Sequence, residues 1–99
     1  MSSFSELINQ DIPVLVDFHA TWCGPCQVMS PILKEVKDEL GNSVKILKID
    51  IDRNQKLAAS LGVRGVPTFI LYYKGNQRWR QSGVISKSEL ISRISDSAY

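Results

Sequence analysis

The apolar positions of this chain alternate between a helical and an extended period. Phe4, Leu7 and Ile8 recur at helical spacing, with Ser3 or Ser5 placed to cap a short helix that Asn9-Gln10-Asp11 and Pro13 end. Val14-Leu15-Val16-Asp17-Phe18 is short and apolar on both faces, as a central parallel strand should be; Asp17 is the exception. From Pro25 to Leu40, the residues Val28, Met29, Ile32, Leu33, Val36 and Leu40 mark one side of a helix. Pro31 predicts a kink in it, and Gly41-Asn42 a stop. Val44 to Asp50 is a second strand, and Asp52 or Asn54 caps a third helix through Leu57, Ala58 and Leu61, ended by Gly62. After a loop from Val63 to Pro67, Thr68 to Tyr73 is a strand by residue type. Lys74-Gly75-Asn76 turns the chain into a return strand, Gln77 to Ser82, dressed in the polar residues of a sheet edge. Ser86-Lys87-Ser88-Glu89 matches a capping box and opens a last helix with Leu90, Ile91 and Ile94 on one face.

The order α-β-α-β-α-β-β-α predicts an α/β domain: parallel βαβ pairing early, an antiparallel hairpin late, and a mixed sheet of about four strands with helices on both faces. The 99 residues suffice for one core, so a single domain over 1–99 is expected. A composition of 43% hydrophobic and 22% charged residues excludes a disordered or fibrous chain. A net charge of +2 is too small to argue for nucleic acid or a membrane surface. Arg78-Trp79-Arg80, the one basic-aromatic cluster, is expected to be a solvated strand edge. No segment approaches the ~20 apolar residues of a membrane span, and Met1 to Glu6 lacks the pattern of a secretory signal. The expected location is therefore a reducing cytoplasm, where a cysteine pair is catalytic or metal-binding rather than structural.

Both cysteines fall in Trp22-Cys23-Gly24-Pro25-Cys26, between the first strand and the long helix. A thiol attacks a disulfide as its thiolate. A helix beginning near Cys23 sets that sulfur over unpaired N–H groups and the positive end of the helix dipole, which favour the thiolate. Cys26, one turn further in, should be less exposed and less acidic. Cys23 is then the nucleophile and Cys26 the resolving thiol. Gly24 allows close backbone approach, and Pro25 suits a first-turn position where its missing N–H is no loss. A C-x-x-C is also half of a zinc site, but zinc needs four ligands, and the chain offers no third cysteine and a single histidine, His19. The redox reading is preferred and no metal site is expected.

Several segments resemble the thioredoxin family in order and spacing, over nearly the whole chain. They are Val16-Asp17-Phe18, Ala20-Thr21-Trp22-Cys23-Gly24-Pro25-Cys26, Pro31-Ile32-Leu33, Lys48-Ile49-Asp50-Ile51-Asp52, Val63-Arg64-Gly65-Val66-Pro67-Thr68 and Ser82-Gly83. The resemblance implies a thioredoxin fold and a thiol-disulfide oxidoreductase that reduces protein disulfides through a mixed disulfide. It implies no bound cofactor, with electrons coming from an NADPH-dependent thioredoxin reductase. The implied partners are that reductase and disulfide-containing proteins, met by a monomer with no nucleic acid and no membrane. Asp17 becomes the buried acid beneath Cys26, its pKa raised by burial so that it can take the Cys26 proton through water. Lys48 is its partial counter-charge. Pro67 becomes a cis-proline facing the cysteines, which would leave the Val66 backbone free to pair with an extended substrate. Trp22, Ile51, Gly65, Val66, Pro67 and Gly83 would frame the docking face.

Three features depart from the family pattern. So few residues precede Phe4 that the usual N-terminal edge strand is expected to be missing. His19 replaces an aromatic residue and reads as a packing residue with a modest pH influence on the thiols. Gln27 replaces a basic residue after Cys26. Three alternatives remain: an oxidase or isomerase of the same fold, disfavoured because such relatives carry His between the cysteines; a redox-gated binding module or structural subunit using the same face; and a zinc-site protein.

Overall fold

A strand apolar on both sides must be covered on both, and β1 (Val14–His19) is. Val14, Leu15, Val16 and Phe18 are fully buried at the centre of the sheet. The computed structural model describes residues 3–98. Among them β1 pairs in parallel with β2 (Lys45–Asp50) and antiparallel with β3 (Thr68–Tyr73), and β3 pairs antiparallel with β4 (Asn76–Ser82). The order is β2-β1-β3-β4, the four-stranded mixed sheet expected. No strand precedes the first helix among the described residues; Met1 and Ser2, part of the stretch argued to lack an edge strand and a signal, lie outside them.

Alternation along β1 sorts its side chains onto two cores. Leu15 joins Met29, Leu33 and Val36 of α2 (Gly24–Leu40) and Leu90 and Ile94 of α4 (Lys87–Ser97). Val14, Val16 and Phe18 join Ile8 of α1 (Phe4–Ile8) and Ala58 of α3 (Gln55–Ser60) on the other face. Asp17 and His19 follow Leu15 at intervals of two and so point toward α2.

Helix ends explain most of the element boundaries. Ser3 caps α1 in a full capping box with Glu6. Ser86 caps α4 through the Glu89 N–H at 3.2 Å, but only half of the expected box forms, because the Glu89 carboxylate pairs with Arg93 at 3.4 Å. α2 runs as one helix through Pro31 and stops at Gly41, whose φ of 54° suits a residue without a Cβ. Of its expected apolar stripe Val28 is exposed. α3 starts after Asn54, yet neither expected cap works through its side chain: the Asn54 amide donates to the Asp50 carbonyl at 2.9 Å, and Asp52 is used elsewhere.

The β3–β4 turn is tighter than expected. Tyr73 pairs with Asn76, leaving Lys74-Gly75 as a two-residue loop with φ of 52° and 83°, the pattern of a primed turn. The basic-aromatic cluster lies on the edge strand β4 with Arg78 and Arg80 exposed, as expected, and its side chains also make contacts there. Trp79 packs against the α2/α4 core under Arg93, Arg78 lies over the Tyr73 ring, and Arg80 donates to the carbonyls of Leu61 and Gly62 after α3.

Candidate active site

Cys23 is the residue at which the extended chain becomes α2. Its backbone is still extended (φ −91°, ψ 112°), and its sulfur accepts the Cys26 N–H at 3.1 Å, doing at this helix end what a serine oxygen does elsewhere. Gly24, Pro25 and Cys26 complete the first turn, with proline where no intrahelical N–H is needed. The two cysteines are disulfide-bonded across a Cα–Cα distance of 5.3 Å.

One expectation is corrected here. In the disulfide state Cys23 is only 3% exposed, while Cys26 is half-buried. The cause is local: capping folds the Cys23 sulfur back over the helix end, and Cys26 opens onto a cavity on the other side.

That cavity, about 240 Å³, is lined by Cys26, Gln27 and Ser30 of α2, Asp17 and His19 of β1, Ala20, Thr21, and Lys48 of β2. Asp17 is 5% exposed, and one of its carboxylate oxygens has no hydrogen-bond partner among the described residues. Burial pushes its carboxyl above the ordinary range, while His19 and then Lys48 pull it back. Lys48 is the register partner of Asp17 across the parallel pair, yet no direct ion pair joins them among the described residues. His19 therefore stands in the same pocket as the acid and the second cysteine.

On the other side of the disulfide, Trp22 is 68% exposed and its indole N–H donates to the Asp52 carboxylate at 2.9 Å. Sequence reasoning missed Asp52 because its place ahead of α3 marked it as a cap. The Val66–Pro67 bond is cis, and Pro67 is buried. The loop is tied down by Thr68, whose hydroxyl donates to the Gly65 carbonyl at 2.7 Å, and by Gly83, whose N–H donates to the Pro67 carbonyl at 2.9 Å. Gly83 needs its freedom, with φ of 95°. Gly24 and Gly65 do not: a Cβ at either would meet nothing within 4 Å. Gly65, Val66, Pro67 and Gly83 are thus brought together. Ile51 packs toward the α1/α3 core and lines a groove with Val63, Arg64 and Asp52, the residue that holds the Trp22 indole. Val84 (51% exposed) and Val28 (54% exposed) are apolar surface that sequence reasoning did not assign to the site. Among the described residues no group of three or more His, Cys, Asp or Glu side chains could hold a metal ion.

The thioredoxin family model matches residues 1–96. A thioredoxin of Rickettsia felis is 42% identical over 97 residues, covering 97% of this chain and 92% of the relative. A chloroplastic thioredoxin Y of Oryza sativa is 44% identical over 94 residues, which are 94% of this chain and 56% of that protein. Among solved structures, a point mutant of the Halobacterium salinarum thioredoxin superposes with a TM-score of 0.85 at 35% identity, covering all of this chain (100%) and 88% of the other. With the sheet order, the C-G-P-C pair at the tip of α2 and these likenesses together, the chain belongs to the thioredoxin family and is a thiol-disulfide oxidoreductase that reduces protein disulfides.

Proposed function

We propose that Cys23 is the attacking and Cys26 the resolving thiol, with Asp17 as the acceptor of the Cys26 proton. The observation that carries this reading is the asymmetry of the pair. The Cys23 sulfur holds an N–H of the first turn of α2, an interaction that favours a thiolate, whereas Cys26 opens onto the pocket containing Asp17. In the reductive direction the Cys23 thiolate attacks one substrate sulfur, the substrate S–S bond breaks, and the other sulfur leaves as a thiolate. Cys26 then gives its proton to the Asp17 carboxylate and attacks the Cys23 sulfur. The mixed disulfide breaks, the second substrate thiolate leaves, and two electrons have moved from the cysteine pair to the substrate. The pocket has room for the water that passes the proton, since a water occupies about 30 Å³. Lys48 acts as a partial counter-charge.

Substrate is proposed to dock on Trp22, Gly65, Val66, Pro67 and Gly83, with Val84 beside them. The open space at Gly65, where a Cβ would meet nothing within 4 Å, leaves room for another backbone to approach. Ile51, next to the Asp52 that holds Trp22, completes the proposed face. The electrons are carried by the cysteines, so the chemistry calls for no bound cofactor. We propose that an NADPH-dependent thioredoxin reductase restores the dithiol, and that the chain acts as a monomeric single domain, residues 1–99, in a reducing cytoplasm on disulfide-containing proteins, without nucleic acid or membrane partners. Support for the compartment is the use of both cysteines in one redox motif; no helix among the described residues is long and apolar enough to cross a membrane.

The direct test is a trap. Cys26→Ser should accumulate substrate proteins as mixed disulfides on Cys23, and Cys23→Ser should accumulate none. Trapping by Cys23→Ser instead would reverse the assignment. Asp17→Ala should slow resolution by tenfold or more, on the order of a general base, and leave the first attack within about twofold; equal slowing of both steps would remove Asp17 from the proton path.

A further inference from the structure

His19 is the one titratable side chain lining the Cys26 pocket that the mechanism above leaves idle. It lies two residues after Asp17 on β1, so both side chains leave the same face of the strand and both line the cavity that Cys26 enters from α2. The charged groups around it are few. On β2, Lys48 is the register partner of Asp17 and lines the same cavity, and Asp50 is the register partner of His19 itself. The Asp50 carboxylate is committed to the turn after β2, accepting the Asp52 N–H at 2.8 Å and the Arg53 N–H at 3.4 Å. From α2 come Gln27 and Ser30, which are neutral, and the cysteine. Imidazole is the side chain that ordinarily changes charge between about pH 5 and 8, so His19 is the group here able to alter the field on Asp17 over the working range.

Resting on Asp17 as the proton acceptor, we propose that His19 is a positioning residue of the resolving step: its charge sets the pH range over which Asp17 can take the proton from Cys26. Asp17 accepts that proton only as a carboxylate, and burial works against the carboxylate. A cationic imidazole beside it favours the charged form and keeps the acceptor ready on the acid side of neutrality. Its pull on Asp17 outweighs that of Lys48. An uncharged imidazole gives the carboxylate no such support. The proton and electron balance of the step is unchanged: Cys26 still gives its proton to Asp17, and His19 transfers nothing.

Dithiobis(nitrobenzoate) separates the two steps, because the first nitrobenzoate thiolate is released by Cys23 and the second by Cys26. In the full chain, His19→Gln should leave the first release within about twofold at every pH. It should slow the second about threefold or more near pH 6 and leave it nearly unchanged by about pH 8.5, as expected for a coupled pair of titrating groups. In an Asp17→Asn background, His19→Gln should add nothing. The chain has one histidine, so its ring resonance can be followed alone, and by reciprocity its titration midpoint should fall in Asp17→Asn. A slowing that is the same at every pH, one that persists in Asp17→Asn, or an unchanged profile would each overturn the proposal. If Asp17→Asn itself leaves the second release untouched, the acceptor reading falls and takes this one with it. If Asp17→Asn slows it while His19→Gln does not shift the profile, the role of His19 alone is lost.

Discussion

Asp17 and Tyr72 are the two residues with a buried side-chain oxygen lacking a hydrogen-bond partner among the described residues, and they have different consequences. The Asp17 carboxyl is raised from its ordinary 3.8 by burial, with His19 and Lys48 opposing. As pH rises, the unfolded chain gives up this proton before the native one does. Stability therefore falls with pH from about the ordinary value up to the raised native one, and the deficit persists above it. Asp17→Asn should then melt at a higher temperature than the parent at pH 7, and at about the same temperature near pH 3; calorimetry across that range checks both. A gain that is equal at both ends would mean packing rather than charge. The Tyr72 hydroxyl, by contrast, sits beside no reaction. Its ring meets Phe4 edge-on at 5.7 Å, an apolar contact that phenylalanine keeps. Tyr72→Phe should leave stability unchanged or raise it by up to about 1 kcal/mol, since it removes an unmade hydrogen bond. A loss larger than that in denaturant melts would show that the hydroxyl is bonded in solution. That Asp17 is unusual was legible from its place in an apolar strand; nothing local distinguished Tyr72 from any other strand tyrosine.

At the scale of elements, the helix ends separate what local sequence can say from what it cannot. Ser86 works as a cap through the 3.2 Å bond from Glu89, as its spacing predicts. Ser86→Ala should cost about 1 kcal/mol in chemical denaturation, and Ser86→Asp much less, because an aspartate oxygen can take the same N–H. Equal losses for both would mean that the hydroxyl, not capping, matters. Asp52 had the same kind of local signature and a different fate, because Trp22 arrives from thirty positions away in sequence and takes its carboxylate. Asp50, unsuspected, holds the turn in its stead. Arg80 is similar: local composition marked it as edge dressing, and only the folded chain brings the carbonyls of Leu61 and Gly62 within reach of its guanidinium.

For the molecule as a whole, the sheet divides two cores, each of buried residues with partly covered ones packed against them. The α2/α4 side buries Met29, Leu33, Val36 and Leu90, while several residues of the α1/α3 side, Leu57 and Leu61 among them, are only partly covered. Leu33→Ala should cost about 2–5 kcal/mol, whereas Leu57→Ala should cost less, in proportion to the smaller area it takes from water. Denaturant titration of both variants tests the ranking, and the reverse order would show that α3 carries more of the fold than its burial suggests. The catalytic pair caps α2, whose Met29, Leu33 and Val36 are buried in the core it shares with α4.

The redox pair at the tip of α2 was determined by sequence alone. The C-x-x-C spacing, the strand before it and the amphipathic helix after it are local properties, and periodicity, capping and the absence of further metal ligands suffice to read them. The order of elements and the four-strand sheet followed from the same patterns. The tertiary structure decided what surrounds the pair. Strand register put Lys48 beside Asp17 and both in one cavity with Cys26 and His19. Packing across distant segments gave Trp22 to Asp52, brought Gly83 to Pro67, and turned Cys23 inward. The physical reason is one of range. Local patterns depend on residues a few positions apart, whereas pocket, register and exposure depend on which distant surfaces the chain buries against each other.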